Sequence, residues 1–329
     1  MTTRPHITVP QFVHEPGLGM VRDAAEVTYW PEESPMPREK LLEAVANSDG
    51  ILSHPASRFD RELLARAPRL KVISNIAVGY DNVDVAACTE RGIAVCNTPG
   101  VLTDATADAT LALMLAVCRR VTEDDRCTRS GERHYWTPTL LVGQDLTEAT
   151  LGIIGLGRIG FEVARRARGF RMRILYHNRH RRPDAESELD AALVDLPTLL
   201  AESDFVSLHV PANAETRNLI GAAELAQMKP TAYLINLARG SVVDQQALTE
   251  ALREKRIAGA GLDVYQPEPI PASDPLLALN NCVLLPHVGA ATLRTRQRMA
   301  ELAARNVLAV LAGQIPPACV NPEVLERKS

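Results

Sequence analysis

Residues 151–160, LGIIGLGRIG, decide the fold of this chain. Gly155, Gly157 and Gly160 have the spacing G-x-G-x-x-G, directly after an apolar run and at the start of a helical pattern. In that context the first glycine permits a tight turn, the second lets the backbone approach a pyrophosphate, and the third lets helix and strand pack closely. The free N–H groups at the helix start favour an anion. The run therefore favours dinucleotide binding over glycines that serve a tight turn alone.

Short apolar runs alternate with helical patterns on both sides of this stretch, which predicts parallel α/β architecture. Two longer helical patterns, at about 103–130 and 293–311, flank the most regular part, and 27–37, rich in Pro and Glu, is typical of a surface loop. We expect an α/β fold in which a Rossmann-type doubly wound parallel sheet domain is inserted into a smaller flavodoxin-like α/β substrate domain. The expected limits are 104–289 for the dinucleotide-binding domain and 1–103 plus 290–329 for the substrate-binding, catalytic domain.

The residues after the second strand of the dinucleotide unit indicate which dinucleotide is bound. An NAD site usually places Asp or Glu about 20 residues after the glycines, on the ribose hydroxyls. Here Asn178 stands near that position and is followed by Arg179, Arg181 and Arg182. A neutral amide with guanidinium groups accepts a 2′-phosphate that a carboxylate would repel. NADP(H) is therefore the expected cofactor and NAD(H) the second choice, with a solvated basic loop that binds nothing as the alternative.

Composition and charge exclude several other classes of protein. The 329 residues carry 40 acidic and 36 basic side chains, without a basic stripe, which argues against a nucleic-acid partner. The most apolar run, 111–118, is too short for a membrane span, and the first residues lack a signal-peptide apolar region. The six cysteines are scattered without a C-x-x-C pair, so we expect reduced thiols and no metal site. The expectation is a cytoplasmic protein with no membrane partner.

Three polar side chains, Arg239, Glu268 and His287, follow predicted strands of the dinucleotide unit, where doubly wound sheets bind ligands. Each alone has a structural explanation: a surface arginine beside a turn glycine, an exposed loop acid, and a core histidine. Together they suit hydride transfer to a 2-oxo acid. The guanidinium would bind the substrate carboxylate, the imidazolium would donate a proton to the carbonyl oxygen, and the carboxylate would orient and stabilise the imidazolium.

These motifs resemble those of the D-isomer-specific 2-hydroxyacid dehydrogenases, and within that family the chain looks most like the glyoxylate/hydroxypyruvate reductases. The resemblance extends over essentially the whole chain. It implies NAD(P)H-dependent reduction of a small 2-oxo acid, such as glyoxylate or hydroxypyruvate, to the D-2-hydroxy acid, by a homodimer. Beside the glycine run, the segments that carry it are LINLARGSVVD (234–244), AGLDVYQPEP (260–269), LLPHVGAATLRTR (284–296), AVGYDNVDVAACTERGIAVCNTPGVLTDATAD (77–108) and YWTPTLLVGQDL (135–146).

The resemblance also implies roles for individual residues. Arg239, Glu268 and His287 match the family's substrate-binding arginine and its Glu–His acid/base pair, and Val78 and Gly79 match the backbone that receives the substrate carboxylate. The motif and the resemblance together predict these cofactor-binding residues: Thr106, Gly155, Leu156, Gly157, Arg158, Ile159, Gly160, Asn178, Arg179, Arg181, His209, Val210, Pro211, Thr216, Leu237, Ala238, Arg239, Asp263, His287 and Gly289.

Further positions bear on the choice of substrate and on finer preferences for cofactor and substrate. Trp136 matches a tryptophan that in close relatives reaches into the partner subunit's site, and Leu52, at a predicted strand end, is expected to face the substrate side chain. The chain departs from the family pattern at Arg171, where relatives often have glycine, and at Leu237 and Ala238, where threonine or serine is commoner.

The alternatives differ in class. Formate dehydrogenase relatives carry glutamine at the position of Glu268, so the acid favours keto-acid reduction. A phosphite dehydrogenase, or a 2-ketogluconate-type or other D-2-hydroxyacid dehydrogenase, would keep the fold and change the substrate. A corepressor that senses the dinucleotide shares this fold without being an enzyme, because fold alone does not determine function.

Overall fold

The computed structural model describes residues 4–131 and 135–326 of the chain. The chain forms two compact units, Met1–Leu102 with Ala291–Ser329, and Thr103–Ala290. Each junction lies one residue from the predicted domain limit. The functional role assigned to each unit remains a prediction at this point.

The first unit is a five-stranded parallel sheet with strand order 2-1-3-4-5, the order of flavodoxin-like folds. Its strands are β1 His6–Val9, β2 Glu26–Tyr29, β3 Gly50–Ser53, β4 Val72–Asn75 and β5 Ala94–Cys96, and its helices are α1 Gly17–Ala24, α2 Arg38–Ala44, α3 Arg61–Arg66, α4 Val85–Glu90, α12 Leu293–Leu311 and α13 Glu323–Glu326. Helices α2, α3 and α4 cover one apolar face of the sheet. Helices α1 and α12 pack together, and α12 also packs on the strands.

Side-chain caps and small residues explain these elements locally. Asp60 accepts a hydrogen bond from the N–H of Leu63, and Asp84 accepts one from Ala87, so each caps the helix that follows it. A Cβ placed at Gly50 would lie 2.8 Å from a methyl group of Val307, so glycine lets α12 approach the sheet.

The second unit is a seven-stranded, fully parallel sheet with strand order 12-11-10-9-6-7-8. Its strands are β6 Thr150–Ile154, β7 Arg173–His177, β8 Ala192–Leu193, β9 Phe205–Leu208, β10 Tyr233–Asn236, β11 Gly259–Leu262 and β12 Cys282–Leu284, and its helices are α5 Thr103–Cys118, α6 Val121–Arg129, α7 Arg158–Arg168, α8 Pro183–Leu189, α9 Leu196–Glu202, α10 Ala222–Leu225 and α11 Gln245–Arg253. Two separate apolar cores, one under α5, α7 and α8 and one under α9, α10 and α11, cover the two faces. The predicted doubly wound α/β class is therefore confirmed.

The single long helix predicted over 103–130 is wrong. The chain forms α5 and α6 instead, separated at Arg120, whose backbone is left-handed with φ of 55°. The Arg120 guanidinium donates to both carboxylate oxygens of Glu123 in the first turn of α6. No Gly or Pro marks this break, so the local sequence did not indicate it.

The surface loop predicted over 27–37 is wrong at its start, because Glu26–Tyr29 forms the edge strand β2, paired in parallel with β1. The Pro- and Glu-rich part follows that strand. The sequence patterns also did not indicate α1, α8, α13 and β8, all of them short elements. Within the described residues, no helix is both long and apolar enough to cross a membrane.

Candidate active site

The glycine loop between β6 and α7 has the shape that a dinucleotide needs. Gly155 has φ of 96°, and a Cβ there would lie 2.8 Å from the carbonyl carbon of His209. A Cβ on Gly160 would lie 2.6 Å from the Gly155 oxygen, so that glycine brings helix and strand together. A Cβ on Gly157 would meet nothing within 4 Å, so its outer face is open. An open backbone at the N-terminus of an eleven-residue helix without a side-chain cap fits a pyrophosphate.

Asn178 and Arg182 hold this loop from the end of β7. The Asn178 Oδ1 accepts a hydrogen bond of 2.7 Å from the N–H of Leu156, and Arg182 Nη1 donates one of 2.6 Å to the Leu156 oxygen. The Leu156 side chain is buried, so we expect Leu156 to contribute to cofactor binding through the position of its backbone. Arg182 was not among the predicted cofactor residues, although its place in a cluster of arginines was a signal.

All three arginines of this loop have carboxylate partners, and that of Arg182 is Asp184, at 2.6 Å. Arg181 pairs with Glu186 at 2.7 Å, and Arg179, 75% exposed, pairs with Glu215 at 3.0 Å. The Arg179–Glu215 pair lies at the surface, where ion pairs contribute little free energy, so an anionic ligand can displace Glu215 at small cost. Glu186 is 19% exposed and also accepts a hydrogen bond from Tyr176 Oη at 2.6 Å. At the start of α7, Arg158 is exposed and Ile159 half-buried.

The loop after β9 lies against the glycine loop. A Cβ on Gly155 would lie 2.8 Å from a methyl group of Val210. His209 Nε2 is 2.8 Å from the Ser207 hydroxyl, and burial lowers the pKa of His209 to about 4. The Thr216 hydroxyl donates to the Pro211 oxygen at 2.6 Å and closes the loop. His209, Val210, Pro211 and Thr216 therefore form one continuous wall with the glycine turn.

Four further predicted cofactor residues meet where β10, β11 and β12 end, three of them after these strands and Thr106 in α5. A Cβ on Gly289 would lie 3.1 Å from Asp263 Oδ2, 3.4 Å from Leu237 Cδ2 and 3.7 Å from Thr106 Cγ2. Ala238, next to Leu237, donates its N–H to Asn236 Oδ1 at 3.0 Å. The sequence places these residues far apart, and the parallel sheet brings their strand ends together.

Asp263 fastens the loop that carries His287. Its carboxylate accepts hydrogen bonds from the N–H groups of Val288, at 2.7 Å, and Gly289, at 2.8 Å. The N–H of His287 donates to the Asp263 backbone oxygen at 2.9 Å, and His287 itself has φ of 56°. Burial raises the pKa of the Asp263 carboxyl, and the two N–H donors oppose that shift. A left-handed backbone at a non-glycine residue is strained, and such strain is common at functional sites.

His287 and Glu268 form a hydrogen-bonded pair. Because a carboxylate only accepts, His287 Nδ1 is the donor and Glu268 Oε1 the acceptor, at 2.7 Å. The His287 side chain is 44% exposed. Within the described residues, no protein group bonds to its Nε2. Glu268 thus holds Nδ1 of His287, and Nε2 stays available to a ligand.

Arg239 follows β10, beside the strands that precede Glu268 and His287. The order β12-β11-β10 makes these three strands neighbours, so all three residues follow carboxyl ends at one stretch of the sheet. Asn236 Nδ2 donates to the Arg239 oxygen at 2.9 Å and shapes the turn. A Cβ on Gly240 would lie 2.0 Å from the Tyr265 carbonyl carbon, so only glycine fits after the arginine.

In the first unit, two asparagines orient the Val78–Gly79 backbone. Asn97 Nδ2 donates to the Val78 oxygen and Asn75 Nδ2 to the Gly79 oxygen, each at 2.8 Å. In the described part of the chain, neither Val78 nor Gly79 has a protein acceptor for its N–H. The carbonyls are held and the N–H groups remain available, as an anion site requires.

The other two predicted substrate residues have opposite environments. Leu52 is fully buried within β3, so its side chain has no surface for a ligand. Trp136 is 84% exposed and Tyr135 beside it 80%.

Comparison with known proteins identifies the family. Residues 111–289 match the D-isomer specific 2-hydroxyacid dehydrogenase NAD binding domain. A glyoxylate reductase of Thermococcus gammatolerans is 51% identical, over 99% of this chain and 98% of the relative. The chain is a member of the D-isomer specific 2-hydroxyacid dehydrogenase family.

Solved structures of such dehydrogenases share the whole fold. A glyoxylate reductase of Paecilomyes thermophila has a TM-score of 0.88 at 36% identity, covering 98% of this chain and all of the other. An NADPH-dependent glyoxylate/hydroxypyruvate reductase of Sinorhizobium meliloti, in complex with NADP and malonate, has a TM-score of 0.84 at 32% identity, covering 97% of each chain. This dehydrogenase is therefore an oxidoreductase that uses a nicotinamide dinucleotide.

Sequence reasoning missed several residues that shape the dehydrogenase site. Asn75, Asn97 and Asn236 act through hydrogen bonds to backbone carbonyls across turns. Each asparagine ends or follows a predicted strand, which was the available signal. Asparagine is common in turns, so its type alone did not mark it.

Proposed function

We propose that this dehydrogenase reduces glyoxylate and hydroxypyruvate to the 2-hydroxy acids and prefers NADPH as its reductant. The His287–Glu268 pair, at strand ends beside that of Arg239, is the observation that carries the proposal. The relatives named glyoxylate reductase support the choice of substrate. Those full-length enzyme relatives also favour catalysis over a dinucleotide-sensing corepressor.

The roles follow from the chemistry of the side chains. The bound nicotinamide would supply a hydride to the substrate C2. Negative charge then develops on the carbonyl oxygen, and His287 donates the Nε2 proton to it. Glu268 holds Nδ1 and stabilises the imidazolium, and Arg239 offers a planar fork to the substrate carboxylate. The free N–H groups of Val78 and Gly79 are proposed as further donors to that carboxylate.

The proposed preference for NADPH rests on the loop after β7. Asn178 replaces the usual acid and accepts from the N–H of Leu156, while the exposed Arg179 pairs with the surface carboxylate of Glu215. Arg179→Asp would turn attraction for a 2′-phosphate into repulsion. Since a hydrogen bond to a charged group contributes about 1.5–3 kcal/mol, we expect the NADPH/NADH ratio of kcat/KM to fall about 10- to 100-fold. Arg253→Asp, the same charge change at an exposed residue of α11 in the same unit, should leave the ratio unchanged.

The test of the reaction is oxidation of NADPH and of NADH, followed by absorbance, with glyoxylate and hydroxypyruvate in turn. Rapid turnover with NADPH supports the reaction, the cofactor and the substrate together. Turnover with NADH alone retains the reaction and overturns the cofactor preference. No turnover with either cofactor, or turnover only with larger 2-oxo acids, overturns the substrate proposal. His287→Ala is the control for enzyme-independent oxidation.

We also propose a homodimer. The exposed Tyr135, Trp136 and Val142 form an apolar segment, which is typical of a surface that another chain covers. Light scattering at micromolar concentration should give twice the mass of the chain, and Trp136→Glu should lower it. Six free cysteines are in keeping with the proposed cytoplasmic location.

A further inference from the structure

Two cysteines from distant parts of the sequence meet in the first unit. Cys96 ends β5 and is fully buried, whereas Cys319 lies in the segment between α12 and α13 and is partly exposed. The N–H of Val320 donates to the Val95 oxygen at 2.7 Å, and the N–H of Val95 donates to Asn321 Oδ1 at 2.7 Å. This segment therefore lies along β5 and places the Cys319 thiol beside that of Cys96, and the Cys319 thiol donates to Asn321 Oδ1 at 3.7 Å.

The pair is asymmetric. The neighbouring Cys96 thiol and the adjacent backbone lower the pKa of Cys319 to about 7, against burial and the negative charge of Glu323, which raise it. The same contact and burial raise the pKa of Cys96. Cys319 is therefore the more exposed and the more readily ionised of the two thiols, and Cys96 is its buried neighbour, the arrangement of a reactive and a resolving cysteine.

The remaining thiols lack this arrangement. Burial raises the pKa of Cys88 to about 12 and that of Cys118 and Cys282 to about 11. Cys127 is partly exposed in α6. Oxidation should therefore select one pair out of six thiols.

We propose that Cys96 and Cys319 are a reversible redox pair that closes to a disulfide in the presence of a hydroperoxide. The Cys319 thiolate attacks a peroxide oxygen, the O–O bond breaks, and with one proton the products from hydrogen peroxide are a Cys319 sulfenic acid and water. The Cys96 sulfur then attacks the Cys319 sulfur. The S–S bond forms, the S–O bond breaks, and hydroxide leaves with the Cys96 proton as a second water. Two thiols are oxidised by two electrons and the peroxide is reduced; a dithiol reductant reverses the reaction.

The disulfide would join the two sequence segments that build the first unit. Residues 96 and 319 lie on either side of the whole second unit in sequence. A cross-link over so long a loop restricts the unfolded chain strongly. We therefore expect oxidation to stabilise the first unit without any change at His287, Glu268 or Arg239.

The first test treats the full-length protein with hydrogen peroxide near pH 7 and maps its peptides under non-reducing conditions. We expect loss of two of the six thiols, one cross-linked peptide joining Cys96 to Cys319, and recovery of both thiols with dithiothreitol. Cys319→Ser should lose no thiol pair, and Cys127→Ser, which removes the other partly exposed thiol, should still form the link. A different pairing, or further oxidation of Cys319 without a link, would overturn the proposal. Because Cys118 shares a tryptic peptide with Cys96, Cys118→Ser confirms which sulfur reacts.

The second test does not depend on the disulfide. The rate of Cys319 alkylation by iodoacetamide should rise with pH around 7 in the native protein. In Cys96→Ala the rise should move to higher pH, because the neighbouring thiol is gone. An unchanged pH profile contradicts the asymmetric pair. Oxidation should also raise the Tm of the wild-type protein by about 5–10 °C and leave that of Cys319→Ser unchanged.

Discussion

At the scale of single residues, the proposed site depends on His287 being held in one orientation. One ring nitrogen donates to Glu268 at 2.7 Å, while the backbone on either side is tied to Asp263. The carboxylate thus selects a tautomer and, once the ring is protonated, stabilises the positive charge. Removing the charge while keeping the shape separates these two contributions.

Glu268→Gln should retain the hydrogen bond and lose the charge. We expect kcat for reduction to fall about 10- to 100-fold, a loss comparable to that of one charge-assisted hydrogen bond. Steady-state rates with saturating NADPH measure the effect. An unchanged kcat would contradict the proposed role, and Glu254→Gln, an exposed acid of the same unit, is the control.

At the scale of elements, two glycines of the glycine loop should have different roles: we expect Gly155 to be needed for folding and Gly157 for dinucleotide binding. Gly155 has a left-handed backbone and a close neighbour, whereas Gly157 has an ordinary φ of −83° and open space outside. The same substitution should therefore have different consequences two residues apart.

Gly157→Ala should fold with a Tm close to that of the wild type and bind the dinucleotide at least about 10-fold more weakly, because its methyl group occupies the approach of the pyrophosphate. Gly155→Ala should lower the free energy of unfolding by more than about 1 kcal/mol, through its positive φ and the contact with His209. Calorimetry of binding and thermal unfolding of both variants make the comparison. Equal Tm losses in the two variants would contradict it.

The turn after β4 is a second element with a defined role. Asn97→Ala removes the donor that holds the Val78 oxygen, so the N–H groups proposed for the substrate carboxylate lose their orientation. We expect KM to rise about 2- to 10-fold, the effect of one hydrogen bond, with a smaller change in kcat. Asn97→Asp, of the same shape but without the donor, should behave like Asn97→Ala. Unchanged KM in both variants would show that the asparagine does not position this backbone.

At the scale of the whole molecule, one partly buried histidine in each unit makes stability depend on pH. His54 donates from Nε2 to the Phe12 oxygen at 3.0 Å in the first unit, and His209 lies in the second. Burial lowers the pKa of each to about 4, from the ordinary 6.5. The folded state therefore favours the neutral ring, and the unfolded chain takes up protons first as the pH falls.

The free energy of unfolding should accordingly be highest above pH 6.5 and decrease as the pH falls toward 4. Each histidine contributes up to about 3 kcal/mol to that decrease. Denaturant midpoints at pH 7.5 and 4.5 measure it. His54→Asn and His209→Asn should each flatten the dependence, and exposed His180→Asn should not. Equal slopes in all four proteins would contradict the assignment.

The local sequence by itself determined the doubly wound class and the glycine loop, and it indicated Arg239, Glu268 and His287 as the candidate catalytic residues. Those features depend on residue types at short spacings, such as G-x-G-x-x-G, and on apolar periodicity. The break at Arg120 had no such signal, because neither Gly nor Pro marks it and the oxygen of Cys118, at the end of α5, accepts from the N–H of the distant Gln144. Only the tertiary structure decided the 2.7 Å contact of Glu268 with His287, the hold of Asn75 and Asn97 on one turn, and the meeting of Cys96 with Cys319. Each joins side chains to groups from separate elements, and their closeness is set by the packing of sheets and helices rather than by nearby residues.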